Sequence, residues 1–305
     1  MGVADLSAEG LPGPGVRYDR RVRTPGAIEA EVDEVQAWLR RVLPEGGRGL
    51  RVLEVGCGPG VLADRLIRDG VQLTAVDASE EQVAEAQARG VAAIVSDFLA
   101  FEAAPFDAVL FTRSLHHIAP LQAGIAKIRA LVRPGGLVVA DEFAHDEIDA
   151  FTAAWFWDLQ AVLESCGALS PDVPRRHHGH GEPQGQGERR SGPHGHGEKH
   201  GHWGHRRKDG PPPTDPLERW RERHVHEPPL HGAQLMIAEL EKAFDLRPPE
   251  RGPYLHRYFS DRVEPGETGT QLFLRTREQE ILRIGQKLLV PIGLRLVATV
   301  RPGAA

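Results

Sequence analysis

A glycine-rich turn between an apolar run and a helix-like run constrains this chain more than any other feature. Residues 52–60 read Val-Leu-Glu-Val-Gly-Cys-Gly-Pro-Gly, and residues 61–69 continue with helical spacing. Glycine lacks a Cβ and adopts positive φ freely, so the backbone can turn sharply and approach a ligand closely. The helix that follows presents unpaired N–H groups at its start. The pattern therefore predicts a nucleotide-cofactor cradle at the carboxyl end of a strand.

The spacing of these glycines separates two classes of cofactor. A dinucleotide fingerprint, Gly-x-Gly-x-x-Gly, requires glycine at position 61, where this chain has Val61. The segment reads instead Glu-x-Gly-x-Gly-x-Gly, from Glu54 to Gly60, and it resembles motif I of the class I S-adenosylmethionine-dependent methyltransferases. An acid at position 54 suits the ammonium of that cofactor and would repel a pyrophosphate. A glycine turn that only allows close packing of strand and helix is the alternative.

Further matches to this family follow in order along the chain. Residues 71–76 predict a strand that ends at Asp77, about 20 residues after the glycines, where an acid can accept both ribose hydroxyls. The strand predicted over 91–96 ends at Asp97 and Phe98, which the resemblance places at the adenine; a simple strand-end cap is the alternative. The resemblance assigns the cofactor to Glu54, Gly56, Cys57, Gly58, Gly60, Asp77, Ala78, Asp97, Phe98 and Thr112.

Successive strand–helix units predict the fold class. Apolar runs at 106–111 and 137–140 supply a fourth and a fifth strand, and consecutive units of this kind form right-handed crossovers and a parallel sheet. The family resemblance, which covers about residues 30–145, implies an α/β, Rossmann-like, seven-stranded and mostly parallel sheet with helices on both faces. Residues 254–260 and 294–300 are predicted to supply strands six and seven, of which the last is antiparallel.

Four helices are predicted from apolar spacing outside the glycine-rich core. The first precedes the first strand and has Ile28, Val32, Val35, Trp38, Leu39 and Val42 on one face; Trp38 is expected in the core. The second covers 147–165, with Phe151, Trp155, Phe156, Leu159 and Val162 on its apolar face. The third and fourth cover 233–244 and 271–286.

Two adjacent histidines are the candidate catalytic residues. His116 and His117 lie in the segment after the fourth strand, and open α/β sheets place their chemistry at the carboxyl ends of strands. Histidine is the usual general base near neutral pH, which methyl transfer to oxygen or nitrogen can require. A structural or cofactor-contacting role for this pair is the alternative. His145 and His256 are weaker candidates.

The composition changes sharply at residues 171–216, and this change sets the predicted domain organisation. Residues 1–26 are predicted to be irregular, and 27–170 to form the S-adenosylmethionine-binding core. Residues 171–216 are rich in His, Gly and Pro, which predicts a disordered insert; residues 217–305 supply a lid or helical segment and the last strands of the same domain. Imidazoles on a flexible segment can bind metal adventitiously, but no metal site is predicted, because glycine-rich coil fixes no ligand geometry.

Charge and cysteine content narrow the class of partner. The net charge of −6 and the pI near 6.2 oppose broad binding to nucleic acid or to an anionic membrane. An Asn-Pro-Pro-Tyr type of motif is absent after the fourth strand, which argues against DNA bases as acceptors. Only two cysteines occur, and we find neither a signal peptide nor an apolar run of about 18 residues. These features predict a cytoplasmic protein with no membrane segment.

The sequence thus predicts an enzyme that transfers a methyl group from S-adenosylmethionine to oxygen, nitrogen or a carboxylate of a small organic acceptor. A nicotinamide-dinucleotide oxidoreductase on a similar sheet is one alternative, which Val61 and Glu54 oppose. A non-catalytic module that binds the cofactor or a metal is another. The identity of the acceptor and the oligomeric state are left open by these patterns.

Overall fold

A mixed β-sheet with helices on both faces forms the body of the protein. The computed structural model describes residues 26–170, 204–205 and 212–301. The strands of the sheet lie in the order β3-β2-β1-β4-β5-β10-β8, and β9 also pairs with β10. The bounds are β1 Arg51–Val55, β2 Gln72–Asp77, β3 Ala93–Val95, β4 Phe106–Thr112, β5 Val132–Phe143, β8 Asp245–Leu246, β9 Glu250–Gly252 and β10 Gly293–Thr299.

Strand direction confirms the predicted fold class. The pairs β1–β2, β2–β3, β1–β4 and β4–β5 are parallel, whereas β10 is antiparallel to β5 from Gly293↔Phe143 to Thr299↔Leu137. The central strands β1 and β4 are almost wholly buried, as expected when helices cover both faces of a parallel sheet. The carboxyl ends of β1, β2, β4 and β5 therefore meet at one edge, which positions the candidate site.

Eight α-helices surround the sheet in the described part of the chain. Helices α1, α2 and α3 contribute to the apolar core on one face, and α4 and α7 to the core on the other. A third core packs α5, α6 and α8 around a 3₁₀ segment near the tip of β5. The bounds are α1 Ala27–Val42, α2 Val61–Arg68, α3 Glu80–Ala88, α4 Leu121–Leu131, α5 Ala150–Ser165, α6 Pro216–Arg223, α7 Ala233–Ala243 and α8 Glu267–Gly285.

The prediction of a strand over residues 254–260 is wrong. Residues Leu255–Phe259 form a 3₁₀ helix, and the edge of the sheet beyond β10 is occupied by the short strands β8 and β9. The cause is Glu280 on α8, whose carboxylate accepts from the N–H groups of Tyr254, Leu255 and His256 at 2.7, 2.9 and 3.0 Å. One carboxylate can collect three successive N–H groups only where the backbone turns, because those groups alternate in direction along a strand.

The face that α5 buries also differs from the prediction. Phe156 is fully buried, but Phe151 and Val162 are 62% and 61% exposed. Thr152, Ala153 and Leu163 are buried instead, so the helix is rotated relative to its most apolar stripe. In α1 the prediction for Trp38 is confirmed, because its side chain is 1% exposed.

The predicted disordered insert, residues 171–216, lies mostly outside the described residues, as do residues 1–25. Within the insert, Gly204–His205 forms the two-residue strand β6, which pairs antiparallel with β7, His226–Glu227. The division into segments at 26, 170 and 216 stays a prediction. Among the helices that the structure describes, none is long and apolar enough to cross a membrane.

Candidate functional site

The glycine turn after β1 contains glycines with two different tasks. Gly56, Gly58 and Gly60 have φ values of 71°, 53° and 73°. A Cβ on Gly56 would lie 2.6 Å from the Cβ of Ser114, and a Cβ on Gly60 would lie 2.8 Å from the Cβ of Ala86, so both glycines permit close packing. A Cβ on Gly58 would meet only the Gln82 side chain, at 3.5 Å. Gly58 therefore faces open space, where a ligand can approach the backbone.

Glu54 is a buried acid that lacks a full set of partners. Its side chain is 1% exposed, and its Oε2 atom has no hydrogen-bond partner among the described residues. Thr112 Oγ1 lies 3.4 Å from Oε1, which is a long hydrogen bond. Burial, helped by the nearby carboxylate of Asp77 and opposed by the Thr112 hydroxyl, raises the pKa of Glu54 to about 8. A cation placed against Oε2 would favour the ionised carboxylate and lower that pKa.

Asp77, at the tip of β2, holds the glycine turn in place. One carboxylate oxygen accepts from the N–H of Gly58 at 2.9 Å, and the other accepts from the N–H of Ser79, also at 2.9 Å. Its side chain is half-buried and keeps further lone pairs. Ala78, beside it, is exposed. Burial raises the pKa of the Cys57 thiol in the turn to about 12, so that thiol stays neutral at physiological pH.

The two residues predicted at the adenine have different environments. Asp97 is exposed, and its Oδ1 accepts from the N–H of Leu99 at 2.7 Å. Phe98 is 5% exposed and packs edge-on against Phe111, with ring centroids 5.6 Å apart. Both side chains thus have structural contacts of their own, and their contact with adenine stays a prediction.

The histidine pair after β4 is organised by an acid that the sequence analysis did not identify. Glu142 on β5 accepts from the N–H groups of Ser114 and Leu115 at 2.9 and 2.7 Å, and its Oε2 lies 2.5 Å from Nδ1 of His116. His116 is 3% exposed, whereas His117 is half-buried. The only signal in the sequence is an acid pair, Asp141-Glu142, inside an otherwise apolar strand.

Histidine and aromatic rings from distant segments gather beyond the tip of β5. The ring of Phe143 stacks on Tyr254 at 4.5 Å and lies 5.0 Å from His116 and 5.8 Å from His145. His145 in turn stacks on His224, with centroids 5.6 Å apart. A cavity of about 270 Å³ opens beside these rings. It is lined by His145, Asp146, Ile148, Leu217, Arg221 and His224.

A charged network connects α1 to the same edge of the sheet. Arg113, whose φ is 58°, pairs with Glu31 of α1 at 3.1 Å. Asp141 on β5 pairs with Arg257 at 2.5 Å and with Arg295 at 2.7 Å. The two arginines hold the pKa of the Asp141 carboxyl below its ordinary value despite burial. Within the described ranges, no three side chains are grouped to hold a metal ion.

Comparison with known proteins identifies the class. Residues 28–172 match a family described as a methyltransferase domain. The glycine turn, the buried acid and the strand order agree with that match, and the chain therefore contains a domain of the class I S-adenosylmethionine-dependent methyltransferases. The cofactor of this family is S-adenosylmethionine.

Individual relatives share this part of the chain. The chain is 37% identical to a ubiquinone biosynthesis O-methyltransferase of Methylocella silvestris, over 33% of this chain and 42% of the relative. It is 33% identical to a demethylmenaquinone methyltransferase of Beutenbergia cavernae, over 41% of this chain and 55% of the relative. The chain thus spans about half the length of the curated relatives that it matches.

Solved structures include similar chains. One is an S-adenosylmethionine-dependent methyltransferase from Mesorhizobium loti, with a TM-score of 0.48 and 17% identity over 88% of this chain and 99% of that one. Another is the N-methyltransferase NodS from Bradyrhizobium japonicum in complex with S-adenosylhomocysteine, with a TM-score of 0.43 and 14% identity over 88% of this chain and 87% of that one.

Proposed function

We propose that the protein transfers a methyl group from S-adenosylmethionine to oxygen, nitrogen or a carboxylate of a small organic acceptor. The observation that carries this proposal is the unpartnered Oε2 atom of Glu54, buried beside the glycine turn. A buried carboxyl with an unmet oxygen is costly unless a bound group compensates it. The ammonium of the methionine end supplies that compensation, whereas the pyrophosphate of a nicotinamide dinucleotide would add repulsion.

The other residues of the turn fit the same cofactor. Gly58 leaves its backbone accessible, and Asp77 retains lone pairs for the hydroxyls of a ribose. We propose that Glu54 and the turn Gly56–Gly60 hold the methionine end, that Asp77 and Ala78 hold the ribose, that Asp97 and Phe98 meet the adenine, and that Thr112 contacts the cofactor beside Glu54.

S-adenosylmethionine, when bound, supplies an electrophilic methyl group. The residues of this chain then contribute alignment, exclusion of water and, for a hydroxyl or amine acceptor, removal of a proton. The loop histidines His116 and His117 are candidates for that last role. Glu142 fixes the Nδ1 side of His116, so that histidine could use only Nε2.

Two further observations support the choice of acceptor and compartment. The two relatives described above are named as a ubiquinone biosynthesis O-methyltransferase and a demethylmenaquinone methyltransferase, which favours a small organic acceptor. Cys57 and Cys166 are both free, which favours a reducing compartment, and we propose the cytoplasm.

Calorimetric titration with S-adenosylmethionine and with S-adenosylhomocysteine tests the cofactor assignment. We expect micromolar affinity for both, and a Glu54→Gln variant should bind about 30-fold more weakly because the charge against the ammonium is lost. Asp64→Asn, which changes a partly exposed acid on α2, is the matched control and should bind as the native protein does. Absence of heat with both ligands, combined with binding of a nicotinamide dinucleotide, would overturn the proposal.

The same titration has a proton signature. Because the pKa of Glu54 lies at about 8 without ligand, the carboxyl is mostly protonated at pH 7. An ammonium against Oε2 lowers that pKa, so binding should release up to about one proton. Titrations at pH 7 in two buffers of different ionisation enthalpy measure this release, and the Glu54→Gln variant should lack it.

A further inference from the structure

The cavity beyond β5 is built partly from elements outside the matched domain. His145, Asp146 and Ile148 follow β5, whereas Leu217, Arg221 and His224 come from α6 and its end. The family match ends at residue 172, so the α6 wall lies outside the matched segment. Phe143 contacts both His116 and His145, which places the cavity next to the loop after β4.

His145 offers the cavity an unmet hydrogen-bond acceptor. Its Nε2 atom is buried and has no partner among the residues that the structure describes. The ring stacks on His224 with an interplanar angle of 15°. Burial lowers the pKa of His145, so the ring is neutral at physiological pH. A neutral imidazole whose proton lies on Nδ1 presents the lone pair of Nε2.

Arg221 lines the cavity and brings a positive charge to it. It forms no ion pair with a described residue. The other charged wall residue is Asp146, whose Oδ1 accepts from the N–H of Ala233 at the start of α7. Burial lowers the pKa of His224 well below its ordinary value, and both of its nitrogens are bonded, to Trp220 and Tyr258. Ile148 and Leu217 complete the walls with apolar surface.

We propose that this cavity holds the methyl acceptor, a small and largely apolar molecule that carries an anionic group for Arg221 and an O–H or N–H for Nε2 of His145. The volume of about 270 Å³ suits a molecule built on one aromatic ring. The assignment rests on the proposed methyl transfer, and it makes His145 a catalytic residue.

The reaction at this site balances without a further reactant. The acceptor oxygen or nitrogen forms its bond to the methyl carbon as the carbon–sulfur bond breaks and its electron pair passes to sulfur. The acceptor proton passes to Nε2 of His145, and the resulting imidazolium then releases it to solvent. The stacked His224 ring keeps the plane of His145 fixed during this exchange.

The binding half of the proposal is tested with two probes that differ in one charge. Full-length protein saturated with S-adenosylhomocysteine is titrated with 3,4-dihydroxybenzoate and with its methyl ester. We expect the acid to bind about tenfold more tightly, and Arg221→Gln to abolish that preference. Arg275→Gln, which changes an exposed arginine of α8, should keep it. Equal affinity of the native protein for the two probes, or binding of neither, would overturn the proposal.

The catalytic half is tested by turnover of the same acid, followed as formation of S-adenosylhomocysteine. His145→Gln should lower kcat by about 100-fold with a small change in KM, and should remove the fall of activity on acidification that protonation of the base causes. His117→Gln should retain that fall. The assignment would be contradicted if His117→Gln, and not His145→Gln, removed the fall of activity on acidification. It would also be contradicted if the native protein bound the acid without turning it over.

Binding of S-adenosylhomocysteine separates this proposal from the one on which it rests. The Arg221→Gln and His145→Gln variants should bind S-adenosylhomocysteine with unchanged Kd, because neither residue lies at the glycine turn. If the native protein fails to bind it, the methyltransferase proposal itself fails. If the native protein binds it but shows no charge preference in the cavity, only the acceptor assignment fails.

Discussion

The two ends of the candidate site are built in opposite ways. At the cofactor end, Glu54, Gly58 and Asp77 lie within 24 residues of sequence, and Asp77 bonds directly to the N–H of Gly58. At the acceptor end, the cavity joins His145 to Arg221 and His224, and Tyr258 contacts His224 from a third segment. The first end is a local turn; the second exists only when distant segments pack together.

This difference has an energetic counterpart. At the cofactor end, one carboxyl oxygen of Glu54 has no hydrogen-bond partner among the described residues and the backbone at Gly58 is accessible, so these polar groups can bind a ligand. At the acceptor end, ring stacking and hydrogen bonds to His224 satisfy much of the wall, whereas Nε2 of His145 has no partner among the described residues. Substitutions at the two ends should therefore affect ligand binding and stability in different proportions.

The largest effect is expected at Glu142, which connects the loop after β4 to β5. Glu142→Ala leaves two buried N–H groups and Nδ1 of His116 without their acceptor, and should lower the free energy of unfolding by about 3–5 kcal/mol. Urea denaturation measures this loss. Glu147→Ala, which removes a partly exposed pair with Arg251, is the control and should cost less than about 1 kcal/mol. Equal losses would show that the Glu142 contacts contribute no more than a surface pair.

A pH-dependent effect is expected at Glu54. Its pKa is raised on folding, so its contribution to stability is fully present below pH 4.5 and is lost as the pH rises through about 8. Without cofactor, the native protein should therefore lose on the order of 3 kcal/mol relative to Glu54→Gln between pH 5 and pH 8.5. Urea denaturation at both values measures the difference.

Asp107→Asn is the control for that measurement, because its effect on the free energy of unfolding should change with pH in the opposite direction. The N–H of Arg51 and the Arg133 guanidinium lower the pKa of Asp107, so its contribution is present at high pH and lost on acidification. A Glu54→Gln difference that follows the Asp107→Asn direction would mean that Glu54 has a satisfied carboxylate, and the contrast between the two ends would disappear.

A smaller effect separates the glycines of the turn. Gly56→Ala and Gly58→Ala both place a Cβ at positive φ, which costs about 1 kcal/mol. Gly56→Ala also meets Ser114 and should lose about 2 kcal/mol of stability in total. Gly58→Ala should lose about half as much stability, but should weaken S-adenosylhomocysteine about tenfold in calorimetry, because its methyl group occupies the approach to the backbone. If Gly58→Ala lost more stability and Gly56→Ala weakened ligand binding more, the packing role would belong to Gly58 and the ligand-facing role to Gly56.

The smallest effect is expected at the acceptor end. Because Nδ1 of His224 donates to the carbonyl of Trp220, Nε2 accepts from the Tyr258 hydroxyl at 2.7 Å. Tyr258→Phe removes that donor and should cost about 1 kcal/mol in thermal denaturation. The Kd of S-adenosylhomocysteine should not change, and a change would indicate that the two ends are coupled through the aromatic cluster.

The same contrast explains which predictions from sequence are confirmed. The fold class and the family follow from short segments, because the glycine spacing and the strand-end acids are local patterns. The task of Glu142 could not be predicted, since its partners are 26–28 residues away and depend on the pairing of β4 with β5. The alternation of apolar and polar residues at 254–260 indicated a strand. The segment turns instead because its backbone N–H groups donate to Glu280, which lies on the distant helix α8. The cavity depends on α6, which no motif marks.

The pairing of Arg113 with Glu31 limits how this protein can be recombined with its relatives. The loop after β4 and the leading helix carry opposite halves of one ion pair, and the arginine stands at a left-handed backbone position. A chimera that takes the loop from one parent and the helix from another separates these halves. Crossover points for such chimeras should lie after β5, so that α1 and the loop after β4 come from the same parent.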